Sequence, residues 1–80
     1  MHELGITRNL VAIVSEAAQG RRVRKVWLEI GARSALLPDA VLFCFDVVSM
    51  GTALEGATLE IVASSGDELN IKAMEVEPCA

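Results

Sequence analysis

Apolar positions along the chain fall into two helical and three strand-like patterns. From Glu3 to Gln19, the residues Ile6, Leu10, Ile13, Val14 and Ala17 recur at intervals near a helical turn, while Arg8, Asn9, Ser15, Glu16 and Gln19 fill much of the opposite face. That spacing predicts an amphipathic helix, and Gly20 supplies its stop. Gly5 weakens the first turn by about 1 kcal/mol relative to alanine, so the opening "MHE" is expected to fray. The stretch "RVRKVWLEI" alternates instead. Val26, Leu28 and Ile30 share one parity and Lys25, Trp27 and Glu29 the other, as in a strand with one buried face.

A second helix is predicted over "PDAVLFCFDVVSMG", with Pro38 in its first turn, Asp39 near the positive end of the dipole and Gly51 closing it. Val41, Phe45 and Val48, with Leu37 and Leu42 nearby, give it a broad apolar face. "ATLEIVA" and "ELNIKAMEVE" read as two further strands joined across "SSGD", which has the composition of a hairpin turn. In the last strand Leu69, Ile71 and Ala73 share one parity and Met74 and Val76 the other, which implies a bulge or an end buried on both faces. A right-handed crossover makes the first two strands parallel, and the hairpin adds the third antiparallel. The expected fold is α+β: a three-stranded mixed sheet with two helices packed on it, in the order α-β-α-β-β. Residues 1–77 are read as one domain and residues 78–80 as a flexible tail.

Composition narrows the function classes. Of 80 residues, 52% are hydrophobic and the mean hydropathy is +0.44, so the apolar surface is either almost all packed or meets a partner. A net charge of −4 and a pI near 4.8 argue against nucleic acid and against an anionic membrane. The local basic cluster of Arg21, Arg22, Arg24 and Lys25 reads as the solvated start of a strand. Glu3, Arg8, Asn9 and Glu16 interrupt the first apolar stretch, unlike a signal peptide. The most apolar run, "AVLFCF", lies between Asp39 and Asp46, far short of the roughly 20 residues that span a bilayer. Cys44 and Cys79 form neither a disulfide framework nor a CxxC pair. Cys44 is expected as a buried small hydrophobe on a helix and Cys79 as a free thiol on the tail, which fits a reducing cytoplasm.

Catalytic patterns are missing. "GTALEG" is not followed by Lys-Ser/Thr and so is no phosphate-binding loop, and Asp67 and Glu68 read as solvated turn residues. The chain does not read as an enzyme. Its single histidine, however, is His2. An amino-terminal Met-His offers three nitrogens to one ion: the Met1 amine, the deprotonated His2 backbone nitrogen and the nearer His2 ring nitrogen. They close a five- and a six-membered ring in one plane, a set suited to square-planar Ni(II) or Cu(II). Glu3, water or another group can take a fourth or axial position. Because the ring and amine have reference pKa values of about 6.5 and 7.7–8.0, metal is expected to be held near neutrality and lost on mild acidification.

The chain as a whole resembles the HypA family, accessory proteins that deliver nickel during maturation of [NiFe] hydrogenases and, in some organisms, urease. The resemblance rests on "MHELGI", on "VRKVWLEIGARSALLPDAVLFCFDVVSMGTALEGATLEI" and on "GDELNIKAMEVE". It implies a nickel site at Met1, His2 and Glu3, with Ni(II) as cargo. It also implies two kinds of partner: the hydrogenase-maturation GTPase, and the hydrogenase large subunit or urease apparatus. Family members carry a zinc module with two CxxC pairs between the last two strands; here "LEIVA" passes to "GDELNI" through "SS", at about residues 63–66. Zinc is therefore not expected. A histidine near that module completes the nickel site in some members, and no second histidine exists here, so the site is expected to be weaker and more labile. The alternative reading is a module without metal, which docks on the GTPase or self-associates as a homodimer through exposed sheet edges.

Overall fold

The alternating stretch about Trp27 becomes the middle strand, and the other elements are arranged around it. In the computed structural model, which describes residues 2–78, the order is α1 (His2–Ala18), β1 (Val23–Gly31), α2 (Pro38–Ser49), β2 (Thr58–Ser64) and β3 (Leu69–Val76). The sheet order is β2-β1-β3, with β2 parallel and β3 antiparallel to β1. Val26, Leu28 and Ile30 are buried, as their parity predicts. They join Leu10, Val11, Val14 and Ala18 of α1, Val41 and Phe45 of α2, and Leu59 of β2 in one core. Both helices therefore cover the same face of the sheet. Leu54, from the α2–β2 connection, is wholly buried in that core. The α+β class and the α-β-α-β-β order are those expected.

The expected hairpin is corrected. β2 and β3 are not neighbours, because β1 lies between them. Residues 65–68 instead step over the end of β1. Gly31 N–H donates to the Glu68 carbonyl at 2.8 Å, Ala32 N–H to Ser64 at 2.8 Å and Arg33 N–H to Gly66 at 2.7 Å. The physical reason is burial: β1 has the most continuous apolar face, and the central position hides it best. Gly31 makes the crossing passable. A Cβ there would lie 2.1 Å from the Gly66 carbonyl oxygen.

The parity switch in β3 is a bulge. Ile71 pairs with Leu28 and Ala73 with Trp27, so Lys72 is the extra residue. Beyond it Met74 pairs with Val26 and Val76 with Val23, which returns both to the face already held by Leu69 and Ile71. The opposite face of the sheet is polar and internally paired. Lys25 meets Glu60 at 2.8 Å and lies 4.7 Å from the Trp27 ring centroid, and Asn70 donates to Glu29 at 3.1 Å.

Three helical details also differ from expectation. The buried face of α1 is Thr7, Leu10, Val11, Val14 and Ala18, whereas Ile13 is 58% exposed and Ala17 is exposed. The helix is rotated because it packs chiefly on α2, as well as over the sheet. Its first turn is not frayed within the described residues: α1 begins at His2, and the buried Thr7 hydroxyl donates to the Glu3 carbonyl. On α2, Val41, Phe45 and Ser49 are buried and Val48 half-buried, but Leu37 and Leu42 are exposed. Cys44 is half-buried on α2, and the expectation for Cys79 lies outside the described residues.

Candidate metal-binding terminus

The beginning of α1 and the beginning of α2 meet at Glu3. Helix α2 starts badly capped. Its N-cap is Leu37, in extended conformation with no side-chain capping bond, and Pro38 follows. In a capping box the third helical residue is Glu or Gln and its side chain reaches back to the N-cap N–H. Here that position is Ala40, which has nothing to offer. The missing acceptor comes from the other helix: Glu3 Oε2 accepts the Leu37 N–H at 3.2 Å. A carboxylate at this place also meets the positive end of the α2 dipole.

Glu3 is thus fixed twice, by Thr7 at its carbonyl and by Leu37 at its carboxylate. The arrangement holds the amino-terminal turn against the start of α2. Sequence reasoning treated Glu3 only as a prospective nickel ligand and missed its capping role. The available signal was "ALLPDA", a helix start with no Ser, Thr, Asp or Asn before the proline. A carboxylate has several lone-pair sites, so accepting from Leu37 does not by itself bar Glu3 from a metal.

Met1 and the side chain of His2 lie outside the described residues, and with them the chelate expected of the amine and the imidazole. Among the described residues no group of three or more His, Cys, Asp and Glu side chains converges as a metal site. Asp67 and Glu68 occupy the crossing over β1, and Glu68 is more than a solvated turn residue. Its carboxyl is held below the usual range, chiefly by its own backbone N–H and then by the Ser64 hydroxyl. Desolvation opposes these, and the Gly66 N–H adds to them. Ser64 Oγ donates to Glu68 Oε1 at 2.8 Å. The contact closes the junction between β2 and β3. No helix among the described residues is long and apolar enough to cross a membrane.

The fold is a small two-layer α+β domain whose first helix begins at His2 and is pinned through Glu3 to the start of the second. The chain belongs to the HypA family: the family model described as "Hydrogenase/urease nickel incorporation, metallochaperone, hypA" matches residues 1–66. It is 69% identical over 61 residues to a hydrogenase maturation factor HypA of a Nostoc species, covering 76% of this chain and 54% of that protein. It is 64% identical over 66 residues to the HypA of Trichormus variabilis, covering 82% and 58%. Against the HypA of Geobacter sulfurreducens it is 51% identical over 61 residues, covering 76% and 56%. The chain spans somewhat over half the length of these curated relatives. In fold it is similar to the solution structure of the Ni metallochaperone HypA from Helicobacter pylori, with a TM-score of 0.70 at 16% identity over 95% of this chain and 93% of that one. Strand β3 lies beyond the matched residues.

Proposed function

We propose that this domain carries Ni(II) as cargo on its amino terminus for hydrogenase or urease maturation. Met1 supplies the amine, His2 the backbone and ring nitrogens, and Glu3 a carboxylate oxygen. Support comes from the "MHE" opening of a chain that belongs to the HypA family, combined with the anchoring of Glu3 on Leu37. That anchor fixes the position of Glu3, the residue that follows the chelating pair. The planar set of three nitrogens leaves the fourth position to an oxygen, from Glu3 or water, and an oxygen that is readily displaced suits a carrier that must pass its ion on by ligand exchange. Without a CxxC pair in the sequence, zinc has no thiolate pair to occupy. The partners in this reading are the maturation GTPase and the hydrogenase large subunit or urease apparatus, in a reducing cytoplasm.

Equilibrium dialysis of wild type and His2→Ala against Ni(II) at neutral pH tests this directly. Wild type should retain about one nickel per chain and His2→Ala little or none, with an unchanged circular dichroism spectrum. Equal retention by the two proteins would place nickel elsewhere and defeat the proposal.

A further inference from the structure

Helix α2 is apolar on the side that faces away from the core as well as on the side that faces it. Val41, Phe45 and Ser49 point inward and are buried. On the outer side Phe43 and Val47, with Met50 at the C-cap just past the helix, follow at i, i+4 and i+7, and they are 70%, 51% and 67% exposed. Leu42 adds to one margin of this ridge. Together these side chains expose on the order of 400 Å² of apolar surface, a patch size at which monomer surfaces are commonly functional. The outer face of the sheet, in contrast, carries the Lys25–Glu60 and Lys72–Glu29 ion pairs and the Asn70–Glu29 hydrogen bond.

The chemistry of the ridge says what covers it. Asp39 and Asp46, also seven residues apart and exposed, form an acidic border along one side. Helix α2 contains no Lys, Arg or His, and the chain carries a net charge of −4. A second copy of α2 could therefore pair its apolar ridge but would supply no cation for either aspartate. An anionic lipid surface would be repelled. A straight ridge of this spacing fits the groove of a packed helix, as in helix recognition through anchors at i, i+4 and i+7. We propose that the outer face of α2 docks an amphipathic helix of a protein partner, one whose apolar stripe is bordered by Lys or Arg. The inference is independent of the nickel reading.

The test uses three synthetic 18-residue peptides labelled for fluorescence anisotropy. One carries a leucine stripe bordered by lysines, the second the same stripe bordered by glutamates, and the third is a scramble of the first. The lysine-bordered peptide should bind at least ten times more tightly than either control. Phe43→Ser with Val47→Ser should weaken it at least tenfold. Asp39→Lys with Asp46→Lys should shift the preference to the glutamate-bordered peptide, an arm that stands even if the serine variant fails to fold. Equal binding of helix and scramble, or no change of preference on charge reversal, would overturn the proposal. So would sedimentation of wild type as a dimer that Phe43→Ser with Val47→Ser converts to a monomer, because a second copy would then cover the face.

Discussion

Replacing Glu3 by alanine should destabilise the domain even with no metal present. The bond lost is that from the Leu37 N–H to Glu3 Oε2 at 3.2 Å, at the N-cap of a helix with no side-chain cap of its own. Loss of a side-chain cap costs roughly 0.5–2 kcal/mol, and the interaction of a carboxylate with a helix N-terminus about 0.3–1 kcal/mol. Leu37 is exposed, so water can partly replace the lost acceptor. These limits place the effect at about 1 kcal/mol, which for a domain of this size is roughly 4–8 °C in Tm. Glu3→Gln keeps an acceptor but removes the charge and should lose about half as much. Thermal unfolding gives the total, and amide exchange locates it: Leu37 should lose protection, followed by Val41, whose N–H makes the first bond of α2 to the Leu37 carbonyl at 3.0 Å. Unchanged Tm and unchanged protection at Leu37 in Glu3→Ala would refute the capping role.

Three other substitutions probe the same structure. Gly31→Ala drives a methyl into the backbone that crosses β1, 2.1 Å from the Gly66 oxygen, and should cost about 3 kcal/mol, read as a lower urea midpoint. Ser49 is buried and its Oγ has no hydrogen-bond partner among the described residues, so Ser49→Ala should be neutral or stabilising by up to about 1 kcal/mol in the same assay. Glu68 should titrate below the ordinary glutamate value of about 4.3 when followed by side-chain NMR. Because its folded pKa is depressed, its contribution to stability is present above that ordinary value and lost as pH falls through the folded one. Ser64→Ala should move the titration back toward the ordinary value.

Much of the fold could be read from the pattern of side chains, because burial follows local periodicity wherever one face meets one layer. The alternation of Val26, Leu28 and Ile30 identified the buried face of β1. The parity change between Ile71 and Met74 left a bulge or an end buried on both faces, and the register of β3 against β1 shows the bulge, made by Lys72. What periodicity could not reveal was which surfaces compete for a face. Helix α1 turns toward α2, so Val11 and Ala18 are buried and Ile13 is not. "SSGD" has hairpin composition, yet β1 outbids β3 for the place beside β2, and that choice depends on long-range burial rather than turn chemistry. Residue chemistry and the resemblance pointed to Glu3 as a ligand; "ALLPDA" shows that α2 lacks a cap of its own, but the bond from Leu37 spans 34 positions, so nothing local names Glu3 as the acceptor. The parts of the candidate site carried by Met1 and the His2 side chain rest on sequence chemistry and family membership.

Calorimetric titration with Ni(II) at neutral pH, comparing the native terminus with a version extended by one residue before Met1, tests the central claim most directly. Extension leaves His2, Glu3 and the fold in place but converts the Met1 amine to an amide. Chelation by amine and imidazole together predicts near-stoichiometric binding to the native protein and its loss on extension. Equal binding by both proteins would contradict that account by separating the metal from the terminal amine.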